Sequence, residues 1–252
     1  MMKHQAGDPS PVANALLVVA KRPAPGRTKT RLSPPLSPDE AAALYECFLR
    51  DTLELMRQVA GVRQAIAYLP AAEVTYFAEM APDFDLILQE GAGLGARLDN
   101  ALSHYLQLDY ERVVIMDSDS PTLPAAWLTA AFEALGDADV VLGPCEDGGY
   151  YLIGLQRPAP RLLREVRMST PRVVADTLAL AAADRLQVSL LPTWYDVDDA
   201  QALDRLAMEL SRSPDGVARH TRAFLASNPD MLSRIAMNPW HTQPGSQSSS
   251  PP

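Results

Sequence analysis

Cysteine is nearly missing from this chain: Cys47 and Cys145 are the only two among 252 residues. That is too few for a disulfide framework and fits a reducing compartment. Histidine is almost as scarce. His4, His104, His220 and His241 are scattered, with none of the spacings of a zinc site. No apolar run nears the roughly 20 residues that cross a bilayer. Residues 15–20 are far too short a stretch, and residues 1–14 are polar, without the apolar centre of a signal peptide. A cytoplasmic protein with no membrane partner is expected. Basic residues are outnumbered, 22 Lys and Arg against 31 Asp and Glu, for a net charge of −9. A general nucleic-acid binder needs a basic surface to neutralise phosphates, so no nucleic-acid partner is expected. A local basic pocket for one nucleotide remains compatible with this balance.

What is present is a 47% hydrophobic composition, enough for a sizeable core, and two kinds of segment in regular alternation. Short β-like runs occupy residues 15–20, 62–69, 84–89, 112–116, 138–143, 150–155 and 186–191. Between them, helices are predicted over residues 37–59, 71–80, 95–108, 123–135, 171–183 and 199–210. The first helix opens with Ser37-Pro38-Asp39-Glu40, a capping box with proline at the first helical position. Thr170-Pro171 reads as a cap followed by a first-turn proline. Apolar runs with intervening helices predict an α/β fold, a single mostly parallel sheet with helices on both faces. Only a short turn separates residues 138–143 from 150–155, which lets that pair run antiparallel. Residues 15–237 are expected to form the domain. Residues 1–14 and the Pro-, Ser- and Gln-rich residues 238–252 are expected to be disordered.

Two acidic turns follow strand-like runs. Arg112-Val113-Val114-Ile115-Met116 ends in Asp117-Ser118-Asp119-Ser120-Pro121, and Asp139-Val140-Val141-Leu142-Gly143 leads to Pro144-Cys145-Glu146-Asp147-Gly148-Gly149. A strand ending in Asp-x-Asp brings carboxylates to the carboxyl edge of a sheet, where open α/β folds bind ligands. Hard oxygen donors there suit a divalent cation carrying phosphates. A single Asp after a strand more often caps the next helix; two such turns beside Gly or Pro favour a site. The first strand runs into Lys21-Arg22-Pro23-Ala24-Pro25-Gly26-Arg27-Thr28-Lys29-Thr30-Arg31-Leu32, a basic loop in an acidic chain. It is placed to wrap a di- or triphosphate, with Gly26 allowing close backbone approach. With one glycine it is not a Walker A loop. Gly91-Ala92-Gly93-Leu94-Gly95-Ala96 formally fits a dinucleotide pattern but follows the third strand rather than the first. It points instead to backbone contacts with a nucleotide base or ribose. Cys145 has no nearby His and reads as a buried thiol, and Met168 and Trp194 read as packing residues.

The basic loop, Leu94-Gly95-Ala96-Arg97-Leu98, Asp117-Ser118-Asp119-Ser120-Pro121 and Glu146-Asp147-Gly148-Gly149-Tyr150-Tyr151-Leu152-Ile153-Gly154 together resemble a bacterial group. It is the glycosyltransferase-like domain-of-unknown-function family 2064, some members of which are called arsenosugar-type glycosyltransferases. The resemblance covers residues 15–206 and implies a GT-A (nucleotide-diphospho-sugar transferase) fold. The phospholactate guanylyltransferases are similar at Lys29-Thr30-Arg31-Leu32 and Glu146-Asp147-Gly148-Gly149, which makes nucleotidyl transfer the rival chemistry. The chain departs from the family's usual Trp-Ser-Thr at Met168-Ser169-Thr170. At Asp196-Val197-Asp198-Asp199 it replaces a final Thr but keeps the Asp pair.

The implied reaction moves a sugar from a nucleotide-diphospho-sugar to a small-molecule acceptor. The departing diphosphate needs a cation and basic side chains. Asp119 with Asp117, completed by Asp198, would hold Mg²⁺ or Mn²⁺. Lys21, Gly26, Lys29, Arg31, Gly93, Gly95 and Arg97 would meet the nucleotide and its phosphates. Asp147 or Glu146 would accept the proton of the attacking hydroxyl, with Gly148-Gly149 leaving room for the acceptor. In the rival reaction the same cation bridges the phosphates of a nucleoside triphosphate and pyrophosphate leaves. A non-catalytic nucleotide-binding regulator is the third reading; it has no need of a base.

Overall fold

The computed structural model describes residues 13–236. Its strands are β1 (Asn14–Lys21), β2 (Val62–Leu69), β3 (Asp85–Leu88), β4 (Arg112–Met116), β5 (Val140–Pro144), β6 (Tyr150–Leu155) and β7 (Val188–Leu190). They form one sheet in the order β3-β2-β1-β4-β6-β5-β7. β6 runs antiparallel to its neighbours β4 and β5, and the remaining pairs are parallel. The mostly parallel sheet and its antiparallel pair are as the spacing predicts. β1 starts inside the segment expected to be disordered, because Asn14 already pairs with Val62 on one side and Arg112 on the other. The expected disorder of residues 1–12 and of 238–252 lies outside the described residues.

The helices are α1 (Pro38–Arg57), α2 (Val74–Met80), α3 (Leu94–Gln107), α4 (Ala125–Ala134), α5 (Arg161–Arg164), α6 (Val173–Ala183), α7 (Ala200–Arg212), α8 (Arg219–Ser227) and α9 (Pro229–Ala236). Alternation along β1 sends successive side chains to opposite faces. Leu16, Val18 and Ala20 pack with Leu49 and Leu53 of α1, Phe77 of α2 and Leu128 of α4. Ala15 and Leu17 pack with Leu98 and Leu102 of α3, Leu163 of α5 and Ala181 of α6. Helices therefore cover both faces, as expected. A third cluster joins Leu203, Leu206, Leu225 and Met231 of α7, α8 and α9 to Leu44 and Phe48 of α1, and it also buries Leu32 of the basic loop. Among the described residues, no helix is long and apolar enough to cross a membrane.

The capping box of α1 is formed: Glu40 N donates to Ser37 Oγ at 3.2 Å, and Ser37 N to Glu40 Oε2 at 2.7 Å. The helix predicted from residue 171 starts later, at Val173, and the Pro171 backbone lies close against Gly148. α8 has no cap of its own. The backbone N–H groups of His220 and Thr221 donate instead to Asp51 of α1, at 2.9 and 2.8 Å. Asp51→Ala is expected to destabilise the protein by about 1–3 kcal/mol, since a buried donor and a partly buried one lose a charged acceptor; urea unfolding of the two proteins measures it.

β1 lies between β2 and β4, so the chain leaves it toward one side and later returns on the other. Such a reversal opens a crevice at the carboxyl ends of the strands. The residues singled out in the sequence converge there.

Candidate active site

The crevice is a cavity of about 460 Å³. Lys21, Arg27, Lys29 and Arg31 line it from the basic loop, Arg97 from α3, and Asp117 and Asp119 from the end of β4. Asp198 joins them from far along the chain. It arrives because Val197 N donates to Asp119 O at 2.9 Å and Ser120 Oγ to Tyr195 O at 3.1 Å, which fastens the segment after β7 to the acidic turn. The expected cationic and acidic residues thus share one space.

Other expected residues stand elsewhere. Gly26 turns the loop at φ +69° and does not line the cavity. Gly93, at φ +99°, precedes the first turn of α3, whose Leu94 and Arg97 reach the cavity in its place. A side chain at Gly95 would run into the Leu163 carbonyl, so this glycine serves the close approach of α3 to α5. Glu146 is paired to Arg205 at 2.7 Å, and Arg205 in turn stacks over the Tyr195 ring at 3.8 Å. Asp147 is exposed, and its Oδ1 accepts the Gly149 N–H at 2.8 Å. Its turn is pinned from behind, because a side chain at Gly148 would meet the Pro171 carbonyl and Val174 N donates to Gly148 O at 3.0 Å.

A buried hydroxyl chain fixes the two loops against each other. Lys21 N lies 3.3 Å from Tyr45 OH, which lies 3.0 Å from Ser118 Oγ, and Ser118 Oγ donates to Val19 O at 3.2 Å. With the Ser118 hydrogen so used, Tyr45 donates to Ser118. Burial, then the charge of Asp119, pushes the Tyr45 phenol up to about 12, so it stays a donor. Asp117 Oδ1 accepts the Asp119 N–H at 3.1 Å, which shapes the acidic turn.

Lys29 is the cation at the centre of this arrangement. Its ammonium lies 2.9 Å from Asp119 Oδ1 and 2.7 Å from Asp198 Oδ1. Arg31, largely exposed, reaches Asp198 Oδ2 at 3.6 Å. Burial works against the charged form of Lys29, but the Asp119 and Asp198 carboxylates outweigh it and raise its pKa. The acids outnumber their cation. Burial and the Asp119 charge raise Asp117 well above the carboxylate range, and burial with the charges of Asp198 and Asp147 pushes Asp196 up to about 6.

Ligand atoms of Cys145, Asp147 and Asp196 lie within 4.8 Å of one another, as do those of Asp51, Glu54 and His220, the group that docks α8. Among the described residues Asp117, Asp119 and Asp198 do not close into such a trio, since Lys29 stands between two of them. The donors along this edge are carboxylate oxygens apart from one thiol, which fits a hard Mg²⁺ or Mn²⁺ ion. Cys145 is buried, and burial, then the nearby acids, raises its thiol pKa, as suits an inert thiol.

Sequence reasoning passed over several lining residues. Arg27 and Ser118 sit inside the motifs and were open to inclusion. Tyr45 and Gln89 carried no signal: one is a helix residue among apolar ones, the other holds Ala20 O and Ala67 O with its side-chain amide at 3.2 and 2.7 Å. Ser169, at φ +61°, reaches the cavity from the link between α5 and α6.

The family described as "Uncharacterized protein conserved in bacteria (DUF2064)" matches residues 52–170, which include both acidic turns. A Desulfovibrio desulfuricans G20 protein, provisionally assigned as a nucleotide-diphospho-sugar transferase, superposes with a TM-score of 0.83 at 31% identity, over 88% of this chain and 98% of that one. The chain belongs to the DUF2064 family. A 2-phospho-L-lactate guanylyltransferase of Methanothermobacter thermautotrophicus is 29% identical over 202 residues, 78% of this DUF2064 chain and 83% of that protein. A Mycobacterium tuberculosis H37Rv protein solved as a manganese complex shares the fold at a TM-score of 0.50 and 21% identity, over 77% of this chain and 98% of that one. This DUF2064 protein has the nucleotide-diphospho-sugar transferase fold and is an enzyme of the transferase class.

Proposed function

We propose that the protein moves a sugar from a nucleotide-diphospho-sugar to a small-molecule acceptor, with Mg²⁺ or Mn²⁺ at the acidic turn. The observation that carries this reading is the cavity itself, where basic side chains of the first loop and α3 face the carboxylates of Asp117, Asp119 and Asp198. Lys21, Arg27, Arg31 and Arg97 bind the phosphates and share their charge. Asp119, with Asp117 and Asp198, holds the cation, which when bound offsets charge developing on the leaving diphosphate. Asp147 takes the proton of the acceptor hydroxyl at Oδ2, because Oδ1 is already held by the Gly149 N–H. This reading gives the proton to Asp147 rather than to Glu146, which is paired with Arg205.

The second reading is nucleotidyl transfer to a phosphorylated small molecule. The guanylyltransferase relative supports it, and so does the absence of Asp147 from the residues lining the cavity. A phosphate nucleophile is already ionised and needs no base. The leaving group separates the two. With Mn²⁺, nucleotide sugars and a panel of small acceptors, release of a nucleoside diphosphate is expected, and with nucleoside triphosphates and phosphorylated acceptors little pyrophosphate. The reverse pattern transfers the assignment to nucleotidyl transfer.

A further inference from the structure

Lys29 is held by two carboxylates that the proposed reaction gives to a cation. Its ammonium contacts Asp119 Oδ1 and Asp198 Oδ1, and its side chain is only 5% exposed. A divalent ion that takes both carboxylates comes to lie close to the ammonium they already hold, and two cations that close repel strongly where water is largely excluded. One of them has to yield. The backbone of the loop is not free to do so. Lys29 sits at φ +49°, ψ +41°, immediately before a 3-10 turn at Thr30–Leu32, and Leu32 is fully buried beneath it. The side chain is the part that can yield, because rotation about its own bonds moves the ammonium while the loop stays in place. Its ammonium stands 6.0 and 5.9 Å from the ring centroids of Tyr45 and Phe48, at the outer limit of a cation–π contact, and the residue lines the cavity.

We propose that Lys29 is an exchangeable counter-ion: it pairs with Asp119 and Asp198 in the ligand-free protein and leaves them for the nucleotide's phosphates when a divalent cation takes those carboxylates. The inference rests on the cation and nucleotide reading given above. Lys29 keeps its charge throughout and changes only its partner. The consequence is synergy. Without phosphate, a displaced ammonium loses two ion pairs and gains nothing, so the cation alone binds weakly. Without the cation, phosphate has to approach two carboxylates that share one ammonium, and that ammonium is not free to meet it. Each ligand supplies what the other leaves unmet, and the coupling is reciprocal, as linkage requires.

Two measurements test this. In the wild-type protein, acylation of Lys29 by an N-hydroxysuccinimide ester, followed by peptide mass spectrometry, is expected to be slow in EDTA and roughly tenfold faster with Mn²⁺ alone. It slows again with Mn²⁺ and a nucleoside diphosphate, with GDP, UDP, ADP and CDP tried in turn. In Lys29→Met, which keeps the length of the stem, Mn²⁺ alone should bind about tenfold tighter by electron paramagnetic resonance titration, while the gain brought by the diphosphate is lost. Labelling indifferent to Mn²⁺ in a protein that still binds Mn²⁺ with a diphosphate overturns the exchange and leaves the proposed function standing. So does a Lys29→Met protein, shown folded by its melting curve, that binds Mn²⁺ no tighter than the wild type. A wild-type protein that binds neither Mn²⁺ nor any of the diphosphates overturns both.

Discussion

Asp119→Ala is expected to abolish cation-dependent nucleotide binding and to lower turnover by roughly a hundredfold or more, while the protein stays folded. Asp119 closes the acidic turn at the end of β4, and its carboxylate faces the cavity from one side while Asp198 faces it from another. Its structural contacts belong mostly to the backbone. The N–H donates to Asp117 Oδ1, and the carbonyl accepts from Val197 N, so alanine keeps both. The substitution removes one of two partners from the buried ammonium of Lys29, which retains Asp198 at 2.7 Å. A stability loss of about 1–3 kcal/mol follows from that single charged contact, well short of unfolding a domain of this size. Calorimetric titration of a nucleoside diphosphate with and without Mn²⁺ reads the binding effect directly. A variant whose affinity still rises with Mn²⁺ as steeply as the wild type's would show that the cation sits elsewhere, with the Cys145, Asp147 and Asp196 group the next place to look.

The architecture was legible because burial forces a simple pattern. Strands covered on both faces read as unbroken apolar runs, and residues 112–116 coincide with β4 at both ends. The lining of the candidate site was legible where a motif sits at a strand end, as at Asp117 and Asp119, since the carboxyl edge of such a sheet is where crevices open. It was illegible where a residue's partner lies far along the chain. Lys29 reads as a phosphate ligand because its sequence neighbours are basic. Its actual partners are 90 residues away at Asp119 and 169 away at Asp198. Glu146 reads as a base because it stands next to Asp147, and only the fold shows Arg205 closing on it. α8 escaped notice for the same reason, since its first turn is capped by Asp51 of α1 rather than by a residue before it. Gly95 misled in the opposite direction. It completes a nucleotide-like pattern, yet the approach of α5 accounts for it.

Asp147→Asn is expected to leave nucleotide binding intact and to slow sugar transfer by roughly a hundredfold or more. The change is nearly isosteric. The amide oxygen of asparagine can accept the Gly149 N–H as Oδ1 of Asp147 does, so the turn keeps its shape. The close packing of Gly148 on Pro171 is likewise untouched. What disappears is an ionised oxygen able to receive a proton. Glu146→Gln is the matched control. It breaks only the half-exposed pair with Arg205, and a surface ion pair of that kind contributes roughly 0–1 kcal/mol, so turnover should change by less than about fivefold. Steady-state kinetics on the two variants, alongside diphosphate binding by titration, separates a loss of chemistry from a loss of affinity. The rival chemistry makes a different forecast for the same protein. A phosphorylated acceptor brings its own ionised nucleophile, so a fully active Asp147→Asn would clear this residue of the base role, and if pyrophosphate were the product it would assign the site to nucleotidyl transfer.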